Sequence, residues 1–240
     1  MKKIWIITKR ELQSFFDSLT AYILLILFLG FSGFFTWIYG SDIFFIKQAS
    51  LQAFFNIAYW TLFFFIPALT MRLLSEENRS GTIELLLTKP VSNWQVVTGK
   101  FLSALLLIVI ALFLTLPYYF TVSSLGNIDN GEVLGGYLAL ILFSSMYISI
   151  GLFTSSVTNN QIVSYLLALS IGIFFQIIFG MLSQGFPGIL GKILDYLSVQ
   201  THFESMTRGV LDSRDILYFL IFIFLGMVLS ETTLIKKRYA

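Results

Sequence analysis

Few residues of this 240-residue chain could do chemistry of their own. Its one histidine, His202, lies two positions before Glu204. A single imidazole and a single carboxylate fall short of a metal site, and no Ser/His/Asp set can be built around them. The expectation is a solvated or locally hydrogen-bonded histidine. Gly185-Phe-Pro-Gly188-Ile-Leu-Gly191-Lys192 has the flavour of a phosphate-binding loop. Its glycine spacing is wrong, however, and Ile193 stands where Ser or Thr is needed. The absence of cysteine excludes disulfides, thiolate chemistry and cysteine-held metals. No catalytic residue, no metal ligand and no bound cofactor are expected on this chain.

The residues whose spacing does suggest work lie between Pro67 and Lys100. An apolar run ends at Met71 and turns abruptly charged at Arg72, Glu76, Glu77 and Arg79. Gly81 and Thr82 can start a turn. Ile83, Leu85, Leu86 and Leu87 then supply apolar surface, and Glu84 suits the positive end of a short helix through Thr88. Pro90 ends it, because the residue before a proline is pushed out of the helical region. A short amphipathic helix between two membrane segments presents a rigid knob to a soluble partner. The plainer alternative is a solvated loop with accidental leucines. Ser92 and Gln95 have capping-box spacing, which predicts a helix start near Asn93.

The elements that must position this knob are membrane spans. The chain is 57 % hydrophobic and 12 % charged, with a mean hydropathy of +0.84. A soluble domain carries about twice that charge fraction. A crossing helix needs roughly 20 mostly apolar residues. Spans are expected over about 20–39, 52–71, 101–122, 133–154, 162–182 and 216–235, the first retained rather than cleaved as a signal peptide. The polar cluster from Thr154 to Gln161, which holds Asn159 and Asn160, splits the uncharged run between Val133 and Gly191. The fold class expected is therefore all-α and polytopic, with six transmembrane helices. Span interiors carry no Asp, Glu, Lys or Arg, with only Arg72 and Glu231 near span ends, which counts against an ion-coupled carrier. Pro67 and Pro117 are candidate kinks, and Gly135-Gly136 and Gly172 candidate sites of close packing.

Lys and Arg set the orientation. Eleven of the fifteen lie at the N-terminus, in the Arg72–Lys100 segment or at the C-terminus. Lys47, Lys192, Arg208 and Arg214 lie on the other side. Both termini and the 72–100 loop are thus expected in the cytoplasm, and 183–215 outside. Residues 4–19 are amphipathic, with Ile4, Trp5, Leu12, Phe15, Phe16 and Leu19 on one helical face. This suits an interfacial helix, either a mere anchor or a support for a partner. In the outer segment Ile189, Leu190, Ile193, Leu194 and Leu197 predict one short re-entrant or surface helix. Ser213 is the expected cap of the last span.

These residues carry a family likeness. Thr70-Met71-Arg72 with Ser75-Glu76-Glu77, then Gly81-Thr82-Ile83-Glu84-Leu85-Leu86-Leu87-Thr88-Lys89-Pro90 and Val97-Thr98-Gly99-Lys100, resemble the segment before the third span of ABC-2-type transporter permeases. Lys9-Arg10-Glu11-Leu12 and the stretch from Tyr196 to Val210 are similar to gliding-motility-associated permease subunits of Bacteroidota. Permeases serving nitrous-oxide reductase maturation share much of the central motif. The resemblance spans essentially the whole chain. It implies a single transmembrane domain over 1–240 with six spans, an N-terminal interfacial helix and a cytoplasmic coupling helix at Gly81–Thr88. It further implies a second contact at 154–161, a second permease chain, and an ABC ATPase that carries ATP and Mg. The membrane would be the bacterial inner membrane and the work would be export or, in the gliding subtype, motility; no nucleic acid is involved. Two rivals stay open from the residues alone: a self-standing channel or carrier, and a structural membrane anchor for an envelope machine.

Overall fold

The computed structural model describes residues 2–38, 49–82 and 91–239, with side chains as far as Lys236. Among the described residues every regular element is a helix. In chain order these are α1 (Lys2–Asp17), α2 (Thr20–Trp37), α3 (Gln52–Thr70), α4 (Ser75–Ser80), α5 (Asn93–Phe113) and α6 (Leu116–Leu125). There follow α7 (Asn130–Val157), α8 (Gln161–Ile173), a π-helical turn (Phe174–Ile178), α9 (Phe179–Gly185), α10 (Ile189–Leu197), α11 (Val199–Thr207) and α12 (Ser213–Tyr239). Six stretches are long and apolar enough to cross a bilayer: Thr20–Trp37, Gln52–Ser80, Asn93–Leu125, Asn130–Val157, Gln161–Gly185 and Ser213–Lys236. This is the all-α, polytopic architecture that hydropathy predicts.

The fourth span, α7, is the hub. Buried residues make up 78 % of its most apolar window, against 28 % for α12. It packs on α3, α5, α8, α11 and α12. In lipid the hydrophobic effect does not drive helices together, so small residues that admit close contact matter more. A Cβ on Gly136 would collide with the Phe55 ring, and one on Gly151 with Thr70 Oγ1. Gly135-Gly136 is thus the site of close packing its composition suggests.

Local chemistry sets the helix ends. Ser92 Oγ accepts from Gln95 N at 3.2 Å while Gln95 Oε1 accepts from Ser92 N at 3.2 Å, the capping box its spacing predicts. The third span's helix therefore starts at Asn93, as the capping box predicts, upstream of the apolar run that begins at Phe101. It breaks at Leu114–Thr115 and resumes as α6, with Pro117 in the first turn, where a missing N–H costs little. Pro67 remains inside α3 without ending it. The fifth span contains a π turn that hydropathy cannot reveal, and it buries Gln176, whose Oε1 accepts from the Tyr147 hydroxyl at 2.9 Å.

Several expectations are refined. On α1 the expected face packs at Phe15, which is buried, and at Ile4, Leu12 and Phe16, which are half-buried; Ile7 and Thr8 are buried as well, whereas Trp5 is 60 % exposed. The reason is a tight seat on α5, where Thr8 Oγ1 donates to Gly99 O at 3.1 Å. The short helix expected between the fifth and sixth spans is α10, and a second one, α11, follows it. Asp212, not Ser213, caps α12 by accepting from Arg214 N at 3.0 Å.

Candidate functional site

The charged segment after the second span folds as α4, a helix with no capping side chain of its own at Leu74. Its free N–H groups are met from another span. Leu74 N and Ser75 N donate to Ser155 Oγ at 3.0 and 2.9 Å, and Ser155 Oγ donates to Met71 O at 3.1 Å. The exchange runs both ways. Asn78 Nδ2 shares its hydrogens among Ser155 O, Ser156 O and Thr158 O at 3.4, 3.3 and 3.3 Å. Those are the last carbonyls of α7, which a helix end leaves unpaired. Each helix end thus caps the other, and the segment after the second span is fixed to the turn between the fourth and fifth.

A charge cluster fixes the same segment on its other side. Lys100 is only 1 % exposed, although its place in the sequence reads as a loop cation. Because α5 begins at Asn93, Lys100 lies two turns inside it, among the buried Val96, Val97 and Ala104. Its Nζ donates to Glu77 Oε1 at 2.8 Å and lies 3.4 Å from Glu11 Oε1. Arg10 bonds Glu11 at 2.5 Å and lies 3.8 Å from Glu77. Arg72 adds a bond to Ser18 Oγ at 2.7 Å and covers the Phe15 ring at 5.3 Å. Charges from α1, α4 and α5 therefore meet at one point. Burial pushes the Glu11 carboxyl up, but the Lys100 charge and the Arg10 hydrogen bond outweigh it and hold the carboxyl below its ordinary value. The bond to Glu11 likewise raises Arg10. A cavity of about 640 Å³ opens beside this cluster, lined by Arg10, Arg72, Glu76, Glu77 and Thr82 among others.

Of the sequence-derived candidates, Glu77 enters the cluster, while Glu76, Gly81 and Thr82 are exposed beside it. Gly81 ends α4 in the left-handed region at φ 70°, where glycine is at ease. Asn160 Oδ1 accepts from Ile162 N at 2.9 Å and so caps α8, while Asn159 is exposed. Ile83, Glu84, Leu85, Leu86, Leu87, Thr88 and Pro90 lie outside the described residues. Sequence reasoning missed Glu11, Asn78, Lys100 and Ser155. The one usable signal was the capping box, which fixes the phase of α5 and hence the direction of Lys100.

Of the two states expected for His202, it is the locally hydrogen-bonded one and not the solvated one. It is 4 % exposed, its Nδ1 lies 2.6 Å from Asp215 Oδ1, and its Nε2 lies 2.9 Å from Tyr196 O. Its ring stacks on Tyr218 with centroids 4.0 Å apart. The arrangement pins α10, α11 and the start of α12 together. Among the described residues no group of three or more His, Cys, Asp or Glu could hold a metal ion.

The family model described as ABC-2 family transporter protein matches residues 5–234. No curated protein matches the sequence significantly.

Proposed function

The chain belongs to the ABC-2 family of transporter proteins and is a multi-pass membrane permease subunit; from that premise we propose that it is driven by ATP hydrolysed on a partner ABC ATPase. The coupling helix on this reading is Gly81–Thr88, with Glu76, Glu77 and Pro90 at its borders and Asn159 and Asn160 as the second contact. Nucleotide binding closes the ATPase pair. The movement enters through that helix and shifts a two-state equilibrium of the spans. ATP and Mg stay on the ATPase, and this chain works beside a second permease chain. Both termini lie in the cytoplasm, the membrane is the bacterial inner membrane, and gliding motility is the process the sequence likeness favours.

One observation carries the reading. The stretch from Leu74 to Asn78, which leads into the proposed coupling helix, is bonded at once to α7 through Ser155 and to α5 and α1 through Lys100, Glu77 and Glu11. A solvated loop needs no such fastening. A loop that transmits force does, because packed side chains, hydrogen bonds and salt bridges carry coupling between elements. Purification of the tagged chain from its native membranes, followed by mass spectrometry, tests the proposal. An ABC ATPase in stoichiometric amount is expected. Recovery of the chain free of any ATPase, at full yield and activity, would contradict it.

A further inference from the structure

At the end of the bundle opposite α1, a cavity of about 660 Å³ lies between the second span, the fifth span and the α10–α11 pair. Its size is typical of small-molecule sites. One wall belongs to the spans and joins the apolar Trp60, Ile177 and Met181 to the polar Ser183 and Gln184. Met181 is 69 % exposed, so this wall continues onto the outward surface of the fifth span. The other wall is polar and belongs to the outer helices: Asp195, Thr201, Glu204 and Arg208. A smaller cavity of about 120 Å³ adjoins it, with Trp60, Gln200, Glu204 and Arg208 shared between the two.

Two buried hydroxyls show that the polarity is not mere surface charge. Ser198 lines the larger cavity, is 1 % exposed, and its Oγ has no hydrogen-bond partner. Tyr59 lines the smaller one, is 2 % exposed, and its hydroxyl is likewise unpartnered. A buried polar group left unpaired costs about 1–3 kcal/mol, so such groups in a native fold call for a partner. Both signs of charge are also present. Glu204 Oε1 accepts from Gln200 Nε2 at 2.7 Å, while its Oε2 lies 3.5 Å from Arg208 Nη2, so the guanidinium keeps donors for a ligand. Thr201 donates to Asp195 at 3.0 Å, which leaves the second carboxylate oxygen of Asp195 free to accept from a ligand.

We propose that this cavity binds an amphiphile whose head is a phosphate–ammonium zwitterion. The ammonium sits between Asp195 and Glu204 against the Trp60 ring, where a cation gains from the ring's negative face. Arg208, which lines both cavities, donates to the phosphate, a pairing a guanidinium suits well, and Ser198 Oγ lies in the wall of the larger cavity as a second donor. The apolar tail leaves along Ile177 and Met181 toward the hydrocarbon. A purely anionic head would meet two carboxylates with one cation, and a purely cationic head would leave Arg208 and Ser198 without an acceptor. The site rests on the cavity and does not depend on coupling to an ATPase.

Native mass spectrometry of the purified chain from micelles doped with equal phosphatidylethanolamine and phosphatidylglycerol tests it. The chain should retain phosphatidylethanolamine at least five-fold over phosphatidylglycerol. Glu204→Gln and Arg208→Gln lie at exposed positions, and each should abolish that preference with the melting midpoint unchanged. Soluble phosphoethanolamine is the competing probe. Failure to displace the lipid at millimolar concentration identifies the intact lipid as ligand. Displacement supports the same head chemistry and identifies a soluble source. Equal retention of the two lipids, or an undiminished preference in both variants, would overturn the proposal.

Discussion

Lys100 brings an ammonium within reach of two carboxylates where α1, α4 and α5 meet. Removing one partner of a buried ion pair leaves the others uncompensated, at a cost of about 3–5 kcal/mol. Glu11 and Glu77 keep side-chain exposures of 14 % and 20 %, so solvent takes up part of that penalty. Lys100→Met should therefore cost about 3 kcal/mol, read as a lowered melting midpoint in detergent. Lys9→Met, on the exposed face of α1, should stay within about 0.5 kcal/mol. The cluster also predicts a pH response. Glu11 has a folded value below the ordinary 4.5, so its contribution is fully present above that value and is lost as pH falls through the depressed one. Wild type should lose stability on acidification below pH 4.5, and Glu11→Gln should flatten that part of the profile. A profile unchanged by Glu11→Gln would show that the cluster does not couple to folding. Little of this was legible in the sequence. Charges at a span boundary read as solvated, and only the helix phase set by Ser92 and Gln95 turns Lys100 inward.

The helices themselves were far more legible. Length and hydropathy are properties of a single stretch of chain, so runs such as Asn130–Val157 and Ser213–Lys236 stand out unaided. Features that depend on two stretches did not. The face of α1 turns on its seat against Gly99, and the end of α4 turns on a serine about 80 residues away. The reciprocal capping makes its own prediction. Ser155→Ala strips the acceptor from two buried N–H groups, and loss of a cap costs about 1–2 kcal/mol. Asn78→Ala should cost a similar amount by freeing the carbonyls that end α7. Because both changes break the same joint, the double variant should cost less than the two single changes added together. Strict additivity would mean that the two caps act independently and that the joint is not one unit.

At the scale of the whole molecule, the charge asymmetry across the bundle predicts its orientation. The chain has no cysteine, so single cysteines can be placed at will. With an impermeant thiol reagent on spheroplasts, Gln200→Cys in α11 should label and Lys89→Cys should not. The reverse pattern would invert the topology. The solubilised complex should contain two permease chains and two ATPase chains. Legibility at this scale was uneven. The family and the number of spans follow from hydropathy and motif, but the cavity under α10 and α11 depends on how two surface helices fold back over the second and fifth spans. The central claim is that ATP hydrolysis on a partner moves this chain through Gly81–Thr88. Its most direct test is ATP turnover and ATPase pull-down with the complex reconstituted in vesicles, comparing wild type with the double variant Glu84→Ala/Leu86→Ala. An interface anchor costs 2 kcal/mol or more when truncated, roughly thirty-fold in affinity. ATPase binding should therefore fall by about that factor or hydrolysis should uncouple from work, while insertion of the spans and expression stay at wild-type levels. Wild-type association and wild-type coupling in the double variant would contradict the account.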